Sequence, residues 1–230
     1  MKKAIRSLSA FLLLMLVSCN NDAFPVSSWN SNNEALPIIF YVSGDAGFNT
    51  FSKNFAGNLH QHGYDVFALN TQRYFWNKKT PQQAATDTEN YLKNILQSRT
   101  NKNIILLGFS YGADVSPFIY NRFDNDFKKN IKTLIIIGPS KVNDFEIHLT
   151  DYFSGETLYG YSVVHEINRL KNVDFTMILS DFEYHYFPFT EITLKNYRFV
   201  HLHGDHHYGG DTKKLADFIN VLLHDSKKKQ

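Results

Sequence analysis

The sequence predicts an α/β fold: a mostly parallel central sheet with helices on both faces, compact and with little or no cap over it. Three observations carry this. Apolar runs of strand length alternate with segments of helical periodicity from residue 37 to residue 224. The run at 104–107 is continuously apolar, as expected of a strand covered on both faces. That run leads straight into Gly108-Phe109-Ser110-Tyr111-Gly112, a G-x-S-x-G junction that sets a serine at the tip of a strand before a helix.

The first residues stand outside this pattern. Lys2, Lys3 and Arg6 precede an apolar stretch at 8–17 that is too short to cross a bilayer comfortably, so residues 1–18 read as a signal peptide. The stretch ends in Leu16-Val17-Ser18-Cys19, which resembles a bacterial lipobox. Cys19 is therefore expected to receive lipid and become the N-terminus, holding the protein in the bacterial envelope on the periplasmic side or at the outer membrane. It is the only cysteine, so the mature chain forms no internal disulfide and relies on its core. The formal charge of +2, less the three positive charges of the leader, becomes −1. This balance gives no reason to expect nucleic-acid binding, and Lys227-Lys228-Lys229 reads as a solvated helix end. Residues 19–36, rich in Ser and Asn, read as a tether, and residues 37–230 as one domain.

Within the domain, strands are expected at 37–43, 64–69, 104–107, 132–137, 174–179 and 197–202. Helices are expected at 50–61, 81–97, 111–120, 162–170 and 211–224, the second capped by Thr80 with Pro81 at its first position. Residues 141–160 are irregular and aromatic, an insertion near the site or extra edge structure.

Ser110 needs a base, because a free hydroxyl is a poor nucleophile, and the base needs an orienting acid. In enzymes built on this turn the order is Ser, acid, His, each after a later strand. Ser180-Asp181-Phe182-Glu183 follows the strand at 174–179, making Glu183 or Asp181 the acid. His203-Gly204-Asp205-His206-His207 follows the last strand, making His206 or His207 the base. Ser43-Gly44-Asp45-Ala46-Gly47 ends the first strand, and a glycine-rich turn there lets the N–H of Asp45 join that of Tyr111 as an oxyanion hole. The carboxylate of Asp45 is then left to cap the next helix or to meet a cationic group. No metal or other cofactor is needed. The run His201-Leu202-His203-Gly204-Asp205-His206 has the spacing of a dinuclear zinc motif, but it stands too late in the chain and in the wrong element order for that fold.

Taken together, Ser43–Gly47, Arg73-Tyr74-Phe75-Trp76 with Thr80-Pro81-Gln82, the segment from Gly108 to Phe118, and Gly204-Asp205-His206-His207-Tyr208-Gly209-Gly210-Asp211 resemble the bacterial virulence protein family of VirJ and AcvB. The resemblance implies an α/β-hydrolase fold and an envelope serine hydrolase. It implies as substrate an ester of the aminoacyl-phosphatidylglycerol type, typically lysyl-phosphatidylglycerol, met at the membrane to which the lipid anchor holds the chain. Arg73, Tyr74 and Trp76, just past the second strand, would then be substrate-binding. Ala46 departs from the glycine usual in the family's first loop. The rival readings are a non-catalytic envelope lipoprotein that serves as a binding or secretion-associated module, and an esterase for a different substrate.

Overall fold

The structure, a computed structural model, describes residues 24–148 and 160–227. Residues 1–18, expected to be a signal peptide, and Cys19, expected to be lipidated, lie outside the described residues. In chain order the strands are β1 (Val26–Trp29), β2 (Ile38–Val42), β3 (Val66–Leu69), β4 (Ile104–Phe109), β5 (Ile131–Ile137), β6 (Val142–Asn143), β7 (Tyr161–Ser162), β8 (Asp174–Leu179) and β9 (Arg198–His201). The helices are α1 (Thr50–Gln61), α2 (Thr71–Tyr74), α3 (Pro81–Gln97), α4 (Tyr111–Arg122), α5 (Asn125–Lys128), α6 (Val163–Ile167), α7 (Asp181–Tyr186) and α8 (Thr212–Lys227). The main sheet runs β1-β3-β2-β4-β5-β8-β9, with every pairing parallel except that of β1 with β3.

The alternation of side chains along each strand divides the core into two layers. Ile38, Phe40, Val42, Ile104 and Leu106 pack against α3 and α4 on one face, whereas Ile39, Tyr41, Ile105, Leu107 and Phe109 pack against α1 and α8 on the other. Because both faces are covered, β2 and β4 are buried at every position, which is why their sequences read as unbroken apolar runs. The start of α3 follows from its sequence: the Thr80 hydroxyl accepts from Gln83 N–H while the Gln83 side chain accepts from Thr80 N–H, with Pro81 where no N–H is missed.

The expectations for residues 24–36 and for residues 162–170 need correction. Residues 24–36 are not tether: Val26–Trp29 forms an antiparallel edge strand on β3. The segment is pinned by Asp65, whose carboxylate accepts from Ser31 N (2.5 Å), Ser31 Oγ (2.9 Å) and Asn32 N (3.1 Å) and pairs with Arg99. The segment at 141–160 supplies β6, which pairs antiparallel with β7 just beyond it in a small second sheet, and residues 149–159 lie outside the described residues. The helix expected at 162–170 is also shorter, Val163–Ile167.

The side chains of Arg99 and Asp65 are only 9% and 3% exposed. Removing one member strands a buried charge, so Asp65→Ala is expected to cost about 3–5 kcal/mol, read as a lower urea midpoint with the unfolding slope little changed.

Candidate active site

From β2 the chain crosses to β3 on one side and then returns to β4 on the other. The carboxyl ends of β2 and β4 therefore border the crevice where the winding direction reverses, the expected place for a ligand in such a sheet. Ser110 stands there, between β4 and α4, with φ 54° and ψ −122°. This is a backbone conformation that a side-chain-bearing residue holds at a cost of about 1–3 kcal/mol. Its neighbours explain how. A Cβ at Gly112 would lie 2.0 Å from the Val42 carbonyl oxygen, and one at Gly108 would lie 2.3 Å from that of Gly112. Only glycine lets strand, turn and helix approach this closely. The Ser110 N–H donates to the Ile137 carbonyl at 2.8 Å, fixing the turn to β5.

His206 Nε2 lies 2.9 Å from Ser110 Oγ, and Nδ1 lies 2.5 Å from Glu183 Oε1. An ionised carboxylate only accepts, so Nδ1 carries the proton and Nε2 is left to accept from the serine hydroxyl. Glu183 is buried at the third position of α7, and its other oxygen accepts from Ser180 N (2.9 Å) and from the Ser180 hydroxyl. Burial opposes its charge, but the hydrogen bonds from His206 and Ser180 prevail and hold its carboxyl below the usual range. The His206 ring rests on Phe109 (centroids 5.2 Å apart). Gly138 passes beneath it with φ 63°, where a Cβ would come within 3.1 Å of Nδ1.

Of the two acids left open by the sequence, Glu183 meets the imidazole. Asp181 faces away, accepting from His201 Nε2, His203 Nδ1 and Gly204 N at 2.8, 3.1 and 2.9 Å. Of the two histidines, His206 reaches Ser110. The His207 ring sits edge-on against Phe51 at 5.2 Å, where burial and the neighbouring His206 lower its pKa. The N–H groups of Asp45 and Tyr111 have no hydrogen-bond partner among the described residues. Gly44 brings the first loop against the nucleophile, since a Cβ there would be 3.4 Å from that of Ser110. The Asp45 carboxylate bonds Ala46 N–H within its own turn at 2.8 Å, and α1 is capped by Asn49 instead.

The proposed substrate-binding trio divides. Tyr74 is a core residue: it is buried and donates to Asp87 of α3 at 2.6 Å. Arg73 and Trp76 are exposed, and Phe75 between them packs on the Tyr111 ring at 5.2 Å, so this turn borders the serine. The zinc-like spacing is also taken apart. His201 and His203 turn to Asp181, Asp205 accepts from His207 N and Gly209 N, and His206 turns to Ser110. Among the described residues, two groups have donor atoms close enough for an ion, Asp181 with His201 and His203, and Asp144 with Glu146 and His148.

Asp114 organises the site without touching the reacting groups, as its place one turn along the helix from Ser110 leads one to expect. Buried on α4 one turn past Ser110, it accepts from Ser140 N (2.6 Å) and Asn143 Nδ2 (3.3 Å), tying the elbow helix to the segment after β5.

Residues 36–228 match the family described as bacterial virulence protein (VirJ). No curated protein matches the chain in sequence. Among solved structures, MenH from S. aureus superposes with a TM-score of 0.64 at 10% identity, over 88% of this chain and 99% of that one. A membrane phospholipase A, described as a novel bacterial virulence factor, gives 0.61 at 11% identity over 88% and 83%. The thioesterase domain from the curacin biosynthetic pathway gives 0.54 at 13% identity over 84% and 94%. These likenesses show the α/β-hydrolase fold.

Burial raises the Asp114 pKa from 3.8 to about 7 against the pull of its hydrogen bonds. A carboxyl whose folded pKa is raised binds its proton more tightly when folded, so stability falls as pH rises from the unfolded pKa through the folded one. Between about pH 4 and 7, the melting temperature of wild type is expected to fall relative to Asp114→Asn. The asparagine shifts stability by a constant offset, because its amide meets Asn143 Nδ2, and removes that slope.

Proposed function

The chain belongs to the bacterial virulence protein (VirJ) family, and from that premise we propose that it is a serine ester hydrolase of the bacterial envelope acting on an aminoacyl-phospholipid such as lysyl-phosphatidylglycerol. The observation that carries the catalytic part is the continuous line from Ser110 Oγ through His206 to the buried Glu183. As His206 Nε2 takes its proton, Ser110 Oγ attacks the ester carbonyl and the carbonyl electrons move onto oxygen, where the N–H groups of Asp45 and Tyr111 receive them. Nε2 then returns the proton to the departing alcohol as the ester bond breaks, leaving an acyl-serine. Water, deprotonated by the same nitrogen, releases the acid and restores the hydroxyl. Glu183 stabilises the imidazolium in both steps without taking its proton.

The substrate reading rests on the family and on the sequence of the first residues. No helix among the described residues is long and apolar enough to cross a membrane. A lipid on Cys19 would instead hold the domain at the surface where such an ester lies, raising its effective concentration. Arg73 and Trp76, on the exposed turn beside Tyr111, are suited to a phosphate and to acyl chains respectively.

The full chain, treated with chelator, is to be exposed to a fluorophosphonate probe and separately assayed for lysine release from lysyl-phosphatidylglycerol vesicles. Labelling at Ser110 alone and lysine release are expected, both lost in Ser110→Ala. Glu183→Gln is expected to lower turnover by about 10⁴-fold, and Asp181→Asn by less than about tenfold. Labelling without lysine release would retain the hydrolase and reject the substrate. No labelling of folded protein would reject the hydrolase.

A further inference from the structure

Beside the proposed triad, Asp181, His201 and His203 converge from two elements. Asp181 is the first residue of α7. His201 ends β9 and His203 follows two residues later, a spacing that brings both rings to the same carboxylate. His201 Nε2 and His203 Nδ1 both approach Asp181 Oδ1, at 2.8 and 3.1 Å, and the three donor atoms lie within 4.8 Å of one another.

The surroundings hold these groups in place. Gly204 N–H donates to Asp181 Oδ2 at 2.9 Å, orienting the carboxylate. The His201 ring is stacked on Tyr184 at 4.3 Å with 8° between the planes. No lysine or arginine pairs with Asp181 among the described residues. The other candidate group differs here, because Lys78 already stands 4.0 Å from Asp144 and 3.7 Å from Glu146.

We propose that Asp181, His201 and His203 form a binding site for a divalent transition-metal ion of the zinc type, closed by water, that braces the acid-bearing helix against the base-bearing loop. Two imidazoles and one carboxylate are a donor set suited to zinc. Metal–ligand bonds of about 2.0–2.2 Å at tetrahedral angles place donor atoms about 3.3–3.5 Å apart. The Asp181–His201 contact therefore needs to open by about 0.6 Å and the Asp181–His203 contact by about 0.3 Å, which the side chains of Asp181 and His203, 47% and 89% exposed, allow. The ion would stand two residues from Glu183 and three from His206. It would take no part in ester cleavage, since His206 and Glu183 are already committed to each other.

The test is a titration of the chelator-treated full chain with Zn²⁺, and with Co²⁺ as a visible probe of geometry. One equivalent is expected to bind, with cobalt giving the intense bands of a tetrahedral site and zinc raising the melting temperature as its concentration rises. His203→Ala removes an exposed ligand, so it is expected to leave metal-free melting and Ser110 labelling unchanged while weakening binding by more than about tenfold and abolishing the cobalt bands. Asp181→Asn is expected to weaken binding in the same way. Failure of the wild type to bind an equivalent of either ion, binding without a rise in melting temperature, or equal binding in both variants would overturn the proposal. None of these outcomes bears on the labelling of Ser110, so the brace and the hydrolase stand or fall separately.

Discussion

The backbone of Ser110 is held at φ 54° because strand β4 must turn at once into α4 while α4 lies against the end of β2, so close that Gly112 has no room for a Cβ beside the Val42 carbonyl. The placement of every other group at the site depends on that approach. It lifts the hydroxyl off the end of the sheet and frees the Tyr111 N–H at the start of the helix, where N–H groups lack partners. It also sets the serine beside the loop after β2. The strain is met by the core: β4 is buried at every position between two covered faces, and its tip is tied to β5 through the Ser110 N–H.

Three carboxylates near the site have different environments and different parts to play. Glu183 is buried but supplied with donors, so it stays charged and orients His206. Asp114 is buried with fewer compensations, and its role is to hold the elbow helix to the segment after β5. Asp181 is partly exposed and gathers two histidines and a backbone amide. Residue type alone does not separate such roles. What separates them is the balance between desolvation and the donors that each fold position supplies.

Much of the fold was legible because periodicity and caps are local signals. The helices Thr50–Gln61 and Pro81–Gln97 and the strand Asp174–Leu179 begin and end where apolar pattern and capping residues place them. The edge strand Val26–Trp29 was not legible, since four mixed residues in a Ser/Asn-rich stretch carry no period, and they are ordered by β3 and by Asp65, far off in sequence. At the site, the serine and the order of its partners could be read from glycine spacing and strand ends. The choice between Glu183 and Asp181 had a signal that went unused. Ser180-Asp181-Phe182-Glu183 has the form of a capping box, and a glutamate turned back on its own helix start is thereby buried and aimed. Gly138 and the tie from Asp114 to Asn143 depend on contacts across the sheet end and leave no local trace. Of Arg73, Tyr74 and Trp76, which the sequence groups together, one turn of helix sends Tyr74 into the core and leaves Arg73 and Trp76 outside.

In the proposed reaction Ser110, His206 and Glu183 act on an acyl group whose oxygen is received by the N–H groups of Asp45 and Tyr111. A crystal structure of the full chain carrying a phosphonate on Ser110 tests it most directly. The phosphonyl oxygen is expected within hydrogen-bond distance of both N–H groups, with His206 still between Glu183 and the modified serine. A phosphonyl oxygen turned to solvent, or an imidazole that has left Glu183 for another carboxylate, would contradict it.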